Sequence, residues 1–107
     1  MPVFGEIHTV SGGPYTSKPR PVLIFQDTSI YTGKSIIAIP FTSQKNPDIT
    51  TRIAVKPSKE NGLDRPCFLE VDKLSALNTK YLGEQIGALE SSHLDATKQA
   101  VRKLLKL

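Results

Sequence analysis

Pro21-Val22-Leu23-Ile24-Phe25-Gln26 and Ser35-Ile36-Ile37-Ala38-Ile39-Pro40 decide the fold, because both runs are apolar on both parities of an extended chain. Such a run is read as a strand covered on both faces, at the centre of a sheet. Each carries polar residues at one end. Lys18-Pro19-Arg20 precedes the first, and Phe41-Thr42-Ser43 follows the second. A rigid sheet that ends in a guanidinium and two hydroxyls can present all three to one ligand, and that set suits phosphate chemistry.

Working outward, residues 3–10 form the first candidate strand. Residues 11–19 hold little to bury and several turn formers, so they are expected to form a mobile loop. Residues 52–56 alternate, with Ile53 and Val55 on one face. Asn61-Gly62 marks a turn, and residues 67–72 place Leu69 and Val71 opposite Glu70 and Asp72, whose parity can face a cleft. After a weaker stretch at 82–89 the chain ends in a helix. Ser92 and Asp95 have the spacing of a capping box, and Leu94, Thr97, Val101, Leu104 and Leu105 form its apolar stripe. Lys98, Arg102, Lys103 and Lys106 lie in the later turns, where cations complement the helix dipole and make a solvated face. Eight prolines and seven glycines fall mostly between the apolar runs. The expected class is mainly β (α+β): a small barrel or curled sheet with a C-terminal helix.

The 107 residues provide for one domain, 1–107, with a modest core. Fourteen Lys and Arg against ten Asp and Glu give a net charge of +4, which favours anionic partners without implying indiscriminate nucleic-acid coating. The single cysteine, Cys67, rules out an internal disulfide. No apolar run is long enough for a membrane span, and the first residues lack the pattern of a signal peptide. A cytoplasmic protein is expected. No His, Cys, Asp and Glu spacing has the form of a zinc or calcium site, so neither metal nor cofactor is expected. His8 and His93 are assigned structural roles, because nothing in the sequence brings them together.

Several segments together resemble one family. Gly5-Glu6-Ile7 with Val10, then Arg20-Pro21-Val22-Leu23-Ile24, then Pro40-Phe41-Thr42-Ser43, and finally Val71-Asp72 followed by Leu82-Gly83, Ile86-Gly87 and Leu89, are similar in order and spacing to the MazF/PemK-like toxins. These are small endoribonucleases encoded beside an antitoxin. The resemblance implies an SH3-like barrel forming a homodimer, which cuts single-stranded RNA without a metal to leave a 2′,3′-cyclic phosphate and a 5′-hydroxyl. It also implies an antitoxin partner with an acidic, largely disordered tail. By the same resemblance Arg20 and Thr42 occupy the catalytic positions, with Ser43 and Asp72 beside them as supporting or RNA-binding residues.

Physical chemistry agrees with that assignment. A guanidinium meets two nonbridging oxygens with a fixed fork, and a β-branched hydroxyl is already aimed. The same patterns also fit a surface ion pair at Arg20, a backbone-capping turn at Thr42 and Ser43, and a salt bridge from Asp72 to Arg20 or Lys73. Tyr15 beside Lys18 can stack on an unpaired base while the cation meets the backbone, or can anchor its own loop. Lys73 is a further candidate RNA contact.

Two segments depart from the family. Residues 14–19 lack the usual Glu, and Lys73-Leu74-Ser75-Ala76 stands where Gln-hydrophobic-Arg-Thr is frequent. The first departure removes a candidate general base; water or a neighbour's side chain can then take the proton, with Asp72 the residue chosen for it. Two other functions fit a barrel of this kind: inhibition of a protein target such as DNA gyrase, as in the CcdB-like family, and binding of RNA or antitoxin without cleavage.

Overall fold

The computed structural model describes residues 1–107. Its seven strands are β1 (Glu6–Val10), β2 (Arg20–Ile24), β3 (Ser35–Thr42), β4 (Ile53–Val55), β5 (Cys67–Leu69), β6 (Ser75–Asn78) and β7 (Leu82–Ala88), followed by helix α1 (Ser91–Leu105). Short 3-10 turns at Val71–Lys73 and Thr79–Tyr81 flank β6. All pairings are antiparallel, in the order β4-β5-β3-β2-β1-β7 with β6 also on β3.

The eight-residue β3 is the hub. One edge pairs with β2 through Ala38, Ile39 and Pro40. The other is divided between β6, at residues 35–38, and β5, at Phe41 and Thr42. Changing partners along one strand turns a flat sheet into a curled half-barrel with a helix across it. Register shifts on either side of His8 in the β1–β7 ladder add to the curl, as bulges increase local twist.

The first run is buried on both faces at Val22, Leu23 and Ile24, as its composition predicts, whereas the second is so covered only around Ala38 and Ile39: Ser35 and Ile37 at its start are exposed, so one face of β3 is open there. Leu23 and Ile39 join Ile7, Phe41, Leu69 and Val71 in the larger core. Val22, Ile24, Ile36 and Ala38 join Val10 and Leu77 in a smaller cluster. Helix α1 closes the larger core with Val101, and with Leu94 and Ala100 partly buried against it.

Three expectations change at this level. In addition, residues 75–78, to which the sequence reading assigns no element, form β6, a short strand whose only buried side chain is Leu77. Strand β5 stops at Leu69. Glu70 is buried, and Asp72 lies in a 3-10 turn rather than on a strand face. The helix does not start with a Ser92–Asp95 box: Ser92 already lies inside the helix, and the N-cap position is Glu90, whose side chain makes no capping bond but accepts hydrogen bonds from the Ser58 hydroxyl at 2.7 Å and from the Asn61 amide. Leu104 and Leu105 leave the expected stripe and are 42% and 52% exposed, so the buried contacts end at Val101.

The loop at 11–19 carries hydrogen bonds of its own. Gly12 N–H donates to Thr16 O, Tyr15 N–H donates to Gly12 O, and the Thr16 hydroxyl donates to Lys18 O at 2.8 Å. Tyr15 packs edge-on against Tyr81, with ring centroids 5.6 Å apart. No helix is long and apolar enough to cross a membrane.

Candidate functional site: a basic cleft at the open end of the sheet

Arg20 opens β2 and Thr42 closes β3. Val22 pairs with Pro40, so the same antiparallel register carried two residues further sets Arg20 abreast of Thr42, while Val10 of β1 pairs with Arg20 on its other side. Both residues line one cleft of about 280 Å³. Lys18 and Ser43 line it too. The structure therefore brings four of the seven sequence-derived site residues to one cleft.

Local chemistry fits the pair for an anion. Arg20 makes no ion pair within the protein. The Thr42 hydroxyl oxygen accepts the Gln44 backbone N–H at 3.2 Å. This is the capping turn that the sequence also allowed. It leaves the hydroxyl hydrogen free to donate into the cleft, with the side chain already oriented.

Tyr15, Asp72 and Lys73 are placed elsewhere. Tyr15 lines an adjoining groove of about 370 Å³ that meets the cleft at Arg20, Pro21 and Phe41. Asp72 is held by Arg52 rather than by Arg20 or Lys73: Nε to Oδ1 is 3.1 Å, and Nη2 to Oδ2 is 3.4 Å. The same guanidinium reaches Glu70 at 3.1 Å, and Lys73 pairs with Glu70 at 3.4 Å. The hydrogen bonds from Arg52 hold the Asp72 carboxyl below the usual aspartate range. A carboxylate engaged in this way and outside the cleft wall is not positioned to take a proton there, which corrects the expectation for Asp72.

The opposite wall was not legible as a site. It consists of residues 62–65 with Cys67, joined by Thr9 and Ile86. Asp64 and Arg65 are exposed and only loosely paired, at 3.7 Å. Burial pushes the Cys67 thiol up to about 11, with the nearby Asp64 charge adding to the effect, so the sulfur is a neutral wall group. With Lys18, Arg20 and Arg65 against Asp64, the cleft presents three cations and one carboxylate.

Asn61 fixes this wall. Its side chain is fully buried. Its Oδ1 accepts from Ser58 N and Leu63 N, each at 3.0 Å, and its Nδ2 donates to Lys56 O and to Glu90. Gly62, at φ 70°, lies so close to β7 that a Cβ there would meet the Ile86 carbonyl oxygen at 1.9 Å. The Asn61-Gly62 pair reads in sequence as an ordinary turn. Its role as the anchor of a cleft wall depends on Glu90, which lies 29 residues away.

His8 and His93 lie outside the cleft. His8 links β1 to β7 through Gly83 O at 3.2 Å and also contacts Glu6 at 2.9 Å, and the His93 carbonyl accepts from Thr97. No three His, Cys, Asp or Glu side chains converge as a metal-binding group.

Comparison with known proteins adds an independent line. A family model described as PemK-like, MazF-like toxin of type II toxin-antitoxin system matches residues 4–105. A curated relative from Mycolicibacterium smegmatis, named a probable endoribonuclease MazF, is 33% identical over 98 residues, covering 91% of this chain and 90% of its own. Among solved structures, Mycobacterium tuberculosis toxin MazF-mt6 superposes with a TM-score of 0.77 at 26% identity, covering 95% of this chain and 97% of that one. A mycobacterial endoribonuclease in complex with its cognate antitoxin superposes with a TM-score of 0.80, covering 100% and 97% of the two chains. At 20% identity, that match speaks to the fold alone.

Proposed function

The chain belongs to the PemK-like, MazF-like toxin family of type II toxin-antitoxin systems, and from that premise we propose that it is an endoribonuclease that cuts single-stranded RNA in the cleft between Arg20 and residues 62–65. The observation that carries this reading is the shared cleft of Arg20 and Thr42, set abreast by the β2–β3 register.

In the proposed reaction the 2′-oxygen attacks the adjacent phosphorus and the 5′-oxygen departs, leaving a 2′,3′-cyclic phosphate and a 5′-hydroxyl. Negative charge grows on the nonbridging oxygens during the attack. The Arg20 guanidinium meets it with two parallel N–H donors, and the Thr42 hydroxyl adds a third. Arginine keeps its proton in proteins, so Arg20 acts as an electrostatic stabiliser rather than a literal acid. A fixed guanidinium neutralises the charge that a metal would otherwise meet, and the proposed chemistry is metal-independent. Ser43 and Lys18 contact the RNA from the same wall. Asp72 and Lys73 support the fold beside it, Asp72 through Arg52.

RNA and a cognate antitoxin are the proposed partners, with the cytoplasm as the place of action. An acidic, disordered antitoxin tail suits the basic cleft. We also propose a homodimer, for which the exposed Ile37, Leu104, Leu105 and Leu107 offer apolar surface near a central strand and the helix end.

Purified protein incubated with single-stranded RNA in chelator is expected to give discrete fragments with 5′-hydroxyl ends. Arg20→Ala and Thr42→Ala are each expected to slow cleavage by about 10²-fold or more while RNA binding falls much less. Growth arrest on expression with no RNA fragments in chelator would overturn the proposal.

A further inference from the structure

Attack by a 2′-hydroxyl requires a proton acceptor, and the residues assigned so far provide none. Arg20, Lys18 and Arg65 are cations. Thr42 Oγ1 already accepts from Gln44, and Cys67 is a neutral thiol. The chain has ten Asp and Glu residues. Asp64 is the one that lines the cleft. Others are committed elsewhere: Glu70 and Asp72 to Arg52, Glu90 to Ser58 and Asn61, and Glu6 to His8.

Asp64 is both available and placed. Its side chain is 88% exposed, and its one ionic neighbour, Arg65, lies 3.7 Å away, a separation at which an exposed pair contributes little. Its backbone is held between buried Leu63 and buried Cys67, and the hub at Asn61 lies three residues upstream. The carboxylate thus stands on a fixed segment that lines the same cleft as Arg20 and Thr42. Its charge registers at the Cys67 thiol of the same wall.

We propose that Asp64 is the general base that takes the 2′-hydroxyl proton during RNA cleavage. The inference rests on the ribonuclease reading above. As the 2′-oxygen to phosphorus bond forms, its proton passes to an Asp64 carboxylate oxygen. The bond from phosphorus to the 5′-oxygen breaks, and the departing oxygen takes a proton from water. The protonated Asp64 then returns its proton to solvent, so charge and protons balance over the cycle. A bound phosphate draws Arg65 from its loose partner, which leaves the carboxylate to the sugar.

The test is single-turnover cleavage of a short single-stranded RNA spanning a site first mapped on a mixed-sequence RNA pool. Asp64→Ala is expected to slow the chemical step about 10²-fold or more. Affinity for the same RNA with a 2′-deoxy sugar at the scissile position should stay within a few-fold. Added acetate should restore the Asp64→Ala rate in proportion to its concentration and should leave Arg20→Ala unimproved. Asp64→Glu should retain part of the activity. Cleavage by Asp64→Ala at the wild-type rate would overturn the assignment while leaving the ribonuclease reading intact. So would a slowed variant that acetate cannot rescue. Absence of cleavage by the wild-type protein would overturn both, and that result is read from a different sample.

Discussion

Single side chains divide here between those spent on the fold and those left free. Arg52 is spent: it bridges Glu70 and Asp72, with about a tenth of its side chain exposed. Removing it as Arg52→Met strands Asp72 and leaves the buried Glu70 with Lys73 alone, and should lower the midpoint of urea unfolding. The pH dependence follows from the same contact. Asp72 is held below its ordinary value by the hydrogen bonds from Arg52, so its contribution is fully present above the unfolded-state value of about 3.9 and is lost as pH falls through the lower folded value. For Glu90, burial raises the carboxyl but hydrogen bonds led by Ser58 outweigh it, and the net lowering gives the same sign. Urea midpoints measured across the acid range should fall below about pH 4. In Arg52→Met that fall should be shallower, because the Asp72 share is gone. Arg20 and Thr42, by contrast, are free. Thr42→Val keeps the branched shape and removes the hydroxyl, so it should lose about 10²-fold in cleavage rate, whereas Thr42→Ser should keep most of it.

At the scale of elements, the connection from β4 to β5 is a wall rather than a tether. Asn61 satisfies four backbone and side-chain partners from a fully buried position. Asn61→Ala leaves buried donors and an acceptor unpaired, and should cost about 2–3 kcal/mol in urea unfolding. Gly62→Ala sets a Cβ against the Ile86 carbonyl at a positive φ, so it should destabilise by more than about 1 kcal/mol and displace the wall. Its cleavage rate should drop even where the fold survives. The opposite loop is held by Tyr15 against Tyr81. Its ring also lines the groove that joins the cleft at Arg20. Tyr15→Ala should weaken RNA binding or change the preferred cut site on a mixed RNA pool, and an unchanged cleavage pattern would reduce Tyr15 to a loop anchor.

The molecule as a whole carries a modest charge of +4 but concentrates three cations on one cleft. Three phosphate contacts on a single strand correspond to a slope of about −2 in log affinity against log salt. Fluorescence anisotropy of a 2′-deoxy-blocked RNA across a salt series checks this. Arg65→Ala and Lys18→Ala should each make the slope shallower by about 0.7. A slope that does not move would place the RNA elsewhere on the surface.

The two doubly apolar runs determined the central strands, because a segment without a polar parity gains by being covered on either face, though Ile37 shows that the coverage of β3 is not complete. Arg20, Thr42 and Ser43 could be singled out for a related reason: polar groups at the ends of such strands are carried by a rigid frame. The sequence could not show where β3 changes partners, that Arg52 claims Asp72, or that Glu90 clamps Ser58 and Asn61. Each of these depends on residues 20 or more positions apart or on two partners that share one edge of a strand, and local pattern holds no record of such meetings. Asp64 and Arg65 were hidden in the same way. In sequence they lie in an unremarked polar connection, and only closure of the sheet brings that connection into the cleft that Arg20 lines.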